Sequence, residues 1–312
     1  GKNVSKSSLA RANQDRDYHI FEEYAYYLVS EARQKCANHI FKLGGNVYAF
    51  DSTTIDLCLS VFWWAKFRKK KGGIKVHTLY DVETQIPAFF HITEASVHDS
   101  KVMIEIPYEP SSYYIFDRGY SNFKMLYKIH QIEAYFVVRA KKNLGYKSIQ
   151  WKRRLPKNVL SDASVLLTGF YPKQYYPEPL RLVKYWDEEQ EREFIFITNA
   201  MHISALQVAE LYKNRWQVEL FFKWLKQHLK IKRFWGTTEN AVRIQIYAAI
   251  CAYCLVAIIQ HDMQLDRSTY EVLQILSISL TDKTYLRDLF NKTKFQNDKE
   301  RFGPNGPSLF NF

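Results

Sequence analysis

The chain has 312 residues, 47% of them apolar, so it is long enough to bury a substantial core in one large domain or two modest ones. Its formal net charge of +12 indicates a polyanionic partner, most simply nucleic acid. Four cysteines without regular spacing exclude a disulfide framework and are typical of a reducing compartment.

The first 45 residues are predicted to form a helical segment. Residues 1–16 are polar and we expect them to be mobile, whereas residues 17–38 repeat apolar side chains at helical spacing. No signal peptide is recognisable in this polar beginning. Because the first residue is not methionine, we expect a further N-terminal module to lie outside the chain.

From residue 46 the pattern changes to that of β-strands. Three strand-like runs follow, NVYAFDSTTIDL at 46–57, IKVHTLYD at 74–81 and IPAFFHITEAS at 86–96. The connection between the first two carries Lys69, Lys70 and Lys71 after two tryptophans. A solvated loop and a nucleic-acid contact are equally good interpretations of this cluster.

The next segment alternates helix and strand. A short helix is predicted from His98, followed by a strand that ends at Asp117, a helix over 118–132 and a fifth strand over 133–141. Three strands followed by alternating helices and strands match the ribonuclease H-like layout, a mixed sheet with helices on both faces. The predicted fold class is therefore α/β, and residues 46–140 form the first part of a ribonuclease H-like core.

Residues 141–200 have the pattern of a second β-rich block. Strand-like runs alternate with proline-containing turns, and little helical period appears. This pattern predicts a β-rich subdomain inserted before a helix that Ser204 caps. Residues 201–262 then form the second part of the core, and residues 263–312 form a C-terminal helical segment and tail.

The apolar run Ile244–Ile259 is interpreted as a core helix, because it is too short and too interrupted to span a bilayer. It contains Cys251 and Cys254, a CxxC pair. We interpret both as buried thiols, because no second pair of Cys or His completes a zinc site.

The stretch Tyr212–Arg233 is predicted to be one continuous helix, because it contains no Pro or Gly and is rich in helix formers. At about 100° per residue, one face carries Glu219 within a row of cations. The row consists of Arg215, Lys223, Lys226, Lys230 and Arg233, with Tyr212 beside it. Such a row can neutralise successive phosphates, and a lone carboxylate within it suits a divalent metal. A solvated basic face with one incidental acid is an equally good interpretation.

Three acids fall where the predicted layout brings side chains together. Asp51 lies in the first strand, Asp117 at the end of the fourth strand, and Glu219 on the helix after the insert. The first and fourth strands are neighbours in a ribonuclease H-like sheet, so their carboxylates can converge at one edge. Phosphodiester cleavage requires an activated water or hydroxyl and a stabilised leaving oxygen, and two Mg²⁺ ions about 4 Å apart on carboxylate oxygens provide both.

Other acids and histidines compete for this role: Asp56, Asp81, Glu94, Asp99, His77 and His98. Strand alternation places Asp56 on the opposite face from Asp51. Asp81 and Asp99 are interpreted as turn or helix-cap residues, and the histidines as structural residues.

The residues Asp51 in AFDSTTI, Asp117 in YIFDRGY and the spacing Tyr212-x2-Arg215-x3-Glu219-x6-Lys226 resemble a DDE transposase of bacterial insertion-sequence family four. That family is marked by its Tyr-Arg-Glu-Lys signature, and the resemblance covers about residues 46–260. It implies that the two aspartates and the glutamate bind two Mg²⁺ or Mn²⁺ ions. It also implies that the signature Tyr, Arg and Lys contact the phosphates of the transposon ends.

Relatives in that family cut through a hairpin and hold a flipped base against tryptophan. This implies the same role for Trp216 and, more loosely, for Trp151 or Trp186, although core packing is favoured for Trp186. Further predicted DNA contacts are the cations Arg118, Lys223, Lys230, Lys69, Lys70 and Lys71.

The sequence thus predicts a cut-and-paste transposase that cleaves element ends and joins the freed 3′-hydroxyl to target DNA. The expected partners are double-stranded DNA and a second copy of the chain in a synaptic complex, in the bacterial cytoplasm on nucleoid DNA and without a membrane. Residues 1–45 are interpreted as the remnant of a DNA-binding module. Two alternatives remain: a ribonuclease H-like nuclease or resolvase without strand transfer, and a domesticated DNA-binding protein without catalysis.

Overall fold

The computed structural model describes residues 4–37, 40–68, 71–228, 234–267, 269–279 and 284–292. The side chains of residues 66–71 and 227–233 are outside this description. The chain divides into two compact units, Gly1–Leu255 and Val256–Phe312. All the strands of the described residues lie in the first unit.

Ten strands of the described chain form one mixed sheet. They are β1 Val47–Leu57, β2 Lys66–Arg68, β3 Lys71–Asp81, β4 Ile86–Glu94, β5 Tyr113–Phe116, β6 Tyr135–Arg139, β7 Tyr146–Trp151, β8 Val159–Leu167, β9 Leu180–Asp187 and β10 Arg192–Thr198. Both β2 and β4 pair with β3, and from there the order is β3-β1-β5-β6-β10-β9-β8-β7.

The half of the sheet ordered β4-β3-β1-β5-β6 has the ribonuclease H-like arrangement. The first three of these strands are antiparallel, whereas β5 runs parallel to both β1 and β6. All four residues of β5, YYIF, are buried, as a central parallel strand covered on both faces requires. The predicted fold class is confirmed.

The helices of the described chain surround this sheet or follow it. They are α1 Lys6–Asp15, α2 His19–Lys35, α3 Phe123–Gln131, α4 Phe170–Tyr175, α5 Ala205–Lys213, α6 Trp216–His228, α7 Glu239–Asp262, α8 Thr269–Ser279 and α9 Leu286–Lys292. Two short 3₁₀ helices, Asp99–Glu105 and Arg118–Tyr120, flank β5.

Helices pack on both faces of the sheet. On one face, α3 buries Leu126 in a core cluster with Phe50 and Phe116. On the opposite face, the ring of Tyr212 in α5 lies 4.7 Å from that of Phe196 in β10, measured between centroids. The strand register separates these faces, because successive side chains of a strand point to opposite sides.

The β-rich block 141–200 extends the same sheet. β10 pairs antiparallel with β6, and β9, β8 and β7 follow in order. The block precedes α5, as the sequence analysis predicted, and its status as a separate subdomain remains a prediction. It also contains α4, whose six residues are too few to show a helical period in the sequence.

Two predictions about local structure are wrong. Residues expected to be mobile form α1, because the Ser5 side chain accepts a hydrogen bond from the backbone N–H of Ser8 and caps the helix. The helix predicted to be continuous from Tyr212 breaks between α5 and α6. The Asn214 side chain donates to the carbonyl of Glu210 at 2.9 Å, a local bond that competes with the helical hydrogen bonds.

The apolar run Ile244–Ile259 was expected to be too short to span a bilayer. This expectation is also wrong, because the helix that contains the run, α7, has 24 residues. By length and composition alone α7 could cross a membrane, but more than half of its most apolar window is buried, as in a core helix. Cys251 and Cys254 on α7 are buried free thiols, as predicted. The second unit has its own small core, formed by Val256, Val272, Ile275 and Phe290.

Candidate active site

Neighbouring parallel strands place two of the predicted acids side by side. Phe50 of β1 pairs with Phe116 of β5 in parallel register, so that Asp51 and Asp117 follow these partners on adjacent strands. Asp117 occupies the N-cap position of the 3₁₀ helix Arg118–Tyr120, where the chain leaves the sheet. The convergence of two carboxylates expected from the strand order is therefore present.

The third acid joins them through an arginine. Glu219 lies in the first turn of α6, and Arg215 lies in the break that precedes this helix. Arg215 Nη1 donates to Asp51 Oδ2 at 2.8 Å, and Nη2 donates to Glu219 Oε1. One guanidinium thus contacts carboxylates from a strand and from a helix. Its central carbon lies 5.9 Å from the centroid of the Tyr212 ring.

Two tyrosine hydroxyls orient the aspartates. Tyr212 donates to Asp117 Oδ1 at 3.0 Å. Tyr120 donates to Asp51 Oδ1 at 3.3 Å, and the backbone N–H of Ser52 donates to the same oxygen at 2.8 Å. Tyr120 was not predicted from the sequence, where its only signal was its spacing of one turn after Asp117.

The pKa shifts follow from burial of several charges in one place. Burial raises the pKa of Asp51 to about 6, Arg215 opposes this rise, and Glu219 and Asp117 add to it. Burial lowers the pKa of Arg215, but the attraction of Asp51 and Glu219 outweighs burial and the net shift is upward. Burial raises the pKa of Tyr212 to about 12, so this hydroxyl is a neutral donor. The three carboxylates outnumber the one guanidinium between them.

A polar network lies next to Asp51. The hydroxyl of Ser52 donates to Asp99 Oδ1 at 2.8 Å, and Lys75 Nζ lies 3.0 Å from the same oxygen. Nδ1 of the fully buried His77 lies 3.9 Å from this oxygen, and burial lowers the pKa of His77 to about 4. Asp99 is thus held by a lysine and a serine, and the imidazole beside it is neutral.

The other competing residues have local roles. Asp81 accepts two backbone N–H groups of the turn that follows it, which is the role predicted. His98, and not Asp99, caps the 3₁₀ helix, because its side chain accepts from the backbone of Ser100. Asp56 is exposed near the end of β1.

The three acids have the donor chemistry of a divalent-metal site, since Mg²⁺ and Mn²⁺ prefer carboxylate oxygens. Burial is the largest cause of the raised pKa of Asp51, and the carboxylates of Asp51 and Glu219 share the positive charge of Arg215. As the side chains lie, no group of three His, Cys, Asp or Glu residues in the described chain is arranged to hold an ion. Arg215 occupies one oxygen of Asp51 and one oxygen of Glu219, which are donors that such an ion would use.

The residues predicted to contact DNA differ in accessibility. Three of them are exposed: Arg118, Trp216 and Lys223. Lys226 is half-buried, and Tyr212 and Arg215 bind the acids as described above. The side chains of Lys69, Lys70, Lys71 and Lys230 lie outside the described residues.

The tryptophans of the β-rich block are accessible. Trp151 on β7 is 60% exposed, and Trp186 on β9 is 39% exposed. The core-packing interpretation of Trp186 is therefore wrong, because this residue is not buried.

Comparison with known proteins finds relatives of this chain. The family model described as transposase DDE domain matches residues 42–255, which include all three acids. A protein named as transposase y4zB in Sinorhizobium fredii is 36% identical over 246 residues, which are 77% of this chain and 67% of that protein.

More distant relatives are also named as transposases. One, for insertion sequence element IS5377 of Geobacillus stearothermophilus, is 27% identical over 80% of this chain and 66% of its own length. Another, for insertion sequence element IS4SA of Synechocystis, is 25% identical over 93% of this chain and 83% of its own length. The chain spans about two thirds of the first two relatives, and its assignment to insertion-sequence family four remains a prediction. The matched region and the identity to y4zB show that the chain belongs to the transposase DDE domain family.

Proposed function

We propose that this protein cleaves DNA at the ends of a mobile element and transfers the freed 3′-hydroxyl to target DNA in a cut-and-paste reaction. The observation that carries this proposal is the meeting of Asp51, Asp117 and Glu219 at one edge of a ribonuclease H-like sheet. Family membership and the basic composition of the chain support it.

The three carboxylates are proposed to hold two Mg²⁺ or Mn²⁺ ions. When bound, such ions lower the pKa of an attacking water or hydroxyl and neutralise the leaving oxygen. Asp51 is the best oriented of the three ligands, because Tyr120 and the Ser52 backbone hold one of its oxygens and leave Oδ2 for other partners. Tyr212 orients Asp117 in the same way.

The DNA is proposed to approach from the exposed side of α6. Lys223 is exposed on α6, and Arg118 is exposed beside Asp117. Each of these cations can neutralise a phosphate. Trp216 is 46% exposed one residue after Arg215, which suits stacking of a base displaced during hairpin formation. Two copies of the chain on two element ends would form the synaptic complex, on nucleoid DNA in the cytoplasm.

The experiment compares Asp51→Asn, Asp117→Asn and Glu219→Gln with wild type on duplex DNA carrying an element end. We expect each substitution to reduce strand nicking in Mg²⁺ or Mn²⁺ by about a thousandfold or more, because the residues act as one unit. DNA binding, measured by fluorescence anisotropy, should survive in all three.

Glu239→Gln is the matched control. Glu239 is also in the first turn of a helix, pairs with an arginine four residues away, and has the same 54% side-chain exposure as Glu219. Its substitution should leave nicking unchanged. Nicking that persists in the three acid variants would overturn the proposal, and equal loss of DNA binding would indicate a structural role.

A nuclease or resolvase without strand transfer is the second candidate, because the acid cluster alone is compatible with either reaction. A pre-cleaved element end with a free 3′-hydroxyl distinguishes them. Joined products with target DNA would establish transfer, and hydrolysis alone would establish the nuclease. A domesticated protein without catalysis would nick neither substrate.

A further inference from the structure

Arg215 holds the two oxygens of the acid cluster that a cation would need. Oδ1 of Asp51 already accepts hydrogen bonds from Tyr120 and from the Ser52 backbone, so Oδ2 is the oxygen left to face the cluster. That oxygen and Glu219 Oε1 are the acceptors of Arg215. A guanidinium and a divalent ion cannot use the same lone pairs at the same time.

Arg215 is nevertheless incompletely satisfied. Its side chain is 17% exposed, and its buried Nε has no hydrogen-bond partner among the described residues. Arg215 lies in the helix break, at the open side of the cluster, where Glu219 is 54% exposed. A phosphate could offer this guanidinium two oxygens in the fork geometry that arginine prefers.

We propose that Arg215 couples DNA binding to metal loading: it competes with the divalent cation for Asp51 and Glu219, and a DNA phosphate draws it away. The inference rests on the proposed function, since it assumes that a metal and DNA meet at this cluster. Arg215 is then a positioning residue that acts through the acids. Metal bound without DNA must displace the guanidinium, whereas metal bound with DNA finds both oxygens released.

Thermodynamic reciprocity gives the coupling two measurable sides. If DNA raises the affinity for metal by some factor, metal raises the affinity for DNA by the same factor, and such factors are typically about 5- to 150-fold. A ligand changes an equilibrium only by its differential affinity for the two states. Here the two states differ in the partner of one guanidinium.

The test measures Mn²⁺ binding to the full chain by titration calorimetry and by the spin resonance of free Mn²⁺. Without DNA, we expect Arg215→Gln to bind Mn²⁺ about tenfold more tightly than wild type, with Arg215→Lys between them, because lysine keeps the charge but cannot fork between two carboxylates. The matched control is Arg243→Gln. Arg243 also pairs with a glutamate four residues away and is 21% exposed, but it lies on α7, and its substitution should leave Mn²⁺ affinity unchanged.

The second arm adds a duplex of about 30 base pairs at low salt, with binding to DNA alone subtracted. Duplex should tighten Mn²⁺ binding to wild type about tenfold and to Arg215→Gln less than about twofold. Unchanged or weaker Mn²⁺ binding by Arg215→Gln and Arg215→Lys without DNA would overturn the inference. Equal tightening by duplex in wild type and Arg215→Gln would also overturn it.

These readouts separate the inference from the proposed function. Wild-type chain that binds Mn²⁺ with the expected coupling but does not nick DNA would sustain the inference and contradict the reaction. Wild-type chain that nicks DNA, with Mn²⁺ affinity independent of Arg215, would sustain the reaction and contradict the inference. Because the variants are compared by binding and need no turnover, loss of catalysis in a variant does not obscure the result.

Discussion

Two arginine–carboxylate centres in this protein differ in how completely the guanidinium group is hydrogen-bonded. Arg181 of β9 is 2% exposed and donates through Nε and Nη2 to both oxygens of Asp162 on β8, at 2.8 and 2.7 Å. Its Nη1 donates to the carbonyls of Ala200 and Ile203. Arg215, in contrast, divides its donors between two acids and leaves Nε without a partner among the described residues.

The two centres differ in their charge balance and in their access to solvent. The Arg181 centre surrounds one carboxylate with two cations, since Lys152 Nζ lies 3.1 Å from Asp162 Oδ2. All three guanidinium nitrogens of Arg181 are used, and they tie the outer strands to the segment before α5. The Arg215 centre has more carboxylates than cations and opens to solvent through Glu219. A buried pair with complete hydrogen bonding stabilises one arrangement, whereas an incomplete one can exchange partners.

The largest expected effect on stability comes from breaking the Arg181 centre. Arg181→Met should lower the free energy of unfolding by about 3–5 kcal/mol, because it leaves the buried Asp162 with only the more exposed Lys152 as an ionic partner. Arg215→Met should lower it by less than about 1 kcal/mol, since it also relieves an unsatisfied donor. Urea unfolding followed by circular dichroism measures both.

The control replaces both Arg181 and Asp162. Arg181→Met combined with Asp162→Leu should regain much of the stability lost in Arg181→Met alone, because no buried charge remains without a partner. An Arg215→Met variant as unstable as Arg181→Met would contradict the distinction between the two centres.

The features that depend on the order of helices and strands could be predicted from the sequence. The helix–strand order predicted the ribonuclease H-like half of the sheet, and the neighbouring positions of the first and fourth strands in that layout placed Asp51 beside Asp117. The contacts of Arg215 could not be predicted in this way. Its spacing from Glu219 fits a phosphate contact and a carboxylate contact equally well, and only the fold brings Asp51 within reach.

Other features depend on contacts between residues far apart in the sequence. The network of Ser52, Lys75 and Asp99 joins β1, β3 and the segment after β4, so no local period reveals it. The Arg181 centre also depends on the pairing of β8 with β9 and on backbone carbonyls beyond β10. The break at Asn214 and Arg215 interrupts an otherwise helical pattern, and the Asn214 side chain bonds there to the carbonyl of Glu210.

A second prediction extends the comparison to an uncharged buried group beside the acids. Burial lowers the pKa of His77 to about 4, although Asp99 opposes this shift; Lys75 and His91 lower it further. Its Nε2 contacts Thr93 at 3.0 Å. Because the folded-state pKa lies below the ordinary value of 6.5, the stability contributed is present above pH 6.5 and is lost as pH falls towards 4.

The change tested is His77→Gln. The pH dependence of the unfolding free energy between pH 6.5 and 4 should flatten by up to about 3 kcal/mol relative to wild type, measured by urea unfolding at a series of pH values. A profile for His77→Gln that follows wild type would show that protonation of this imidazole does not limit stability in acid.

The substitution with the smallest expected effect tests whether the Arg181 centre influences the Arg215 centre through α5. Ser204 follows Ile203, whose carbonyl accepts from Arg181, and it caps the helix that carries Tyr212. Its hydroxyl accepts from the Gln207 backbone at 3.1 Å, and the Gln207 side chain accepts from the Ser204 backbone at 2.8 Å.

Ser204→Ala removes one half of this capping box and should lower the free energy of unfolding by about 1 kcal/mol, whereas Ser204→Asp keeps an acceptor and should retain most of it. Strand nicking should not change in either variant, because Tyr212 is held at the far end of α5 by Asp117 and by packing against Phe196. A large loss of nicking with only this small loss of stability would mean that the Arg181 centre sets the position of Tyr212. The Arg215 centre would then depend on the Arg181 centre, and the two could not be treated as independent parts of the fold.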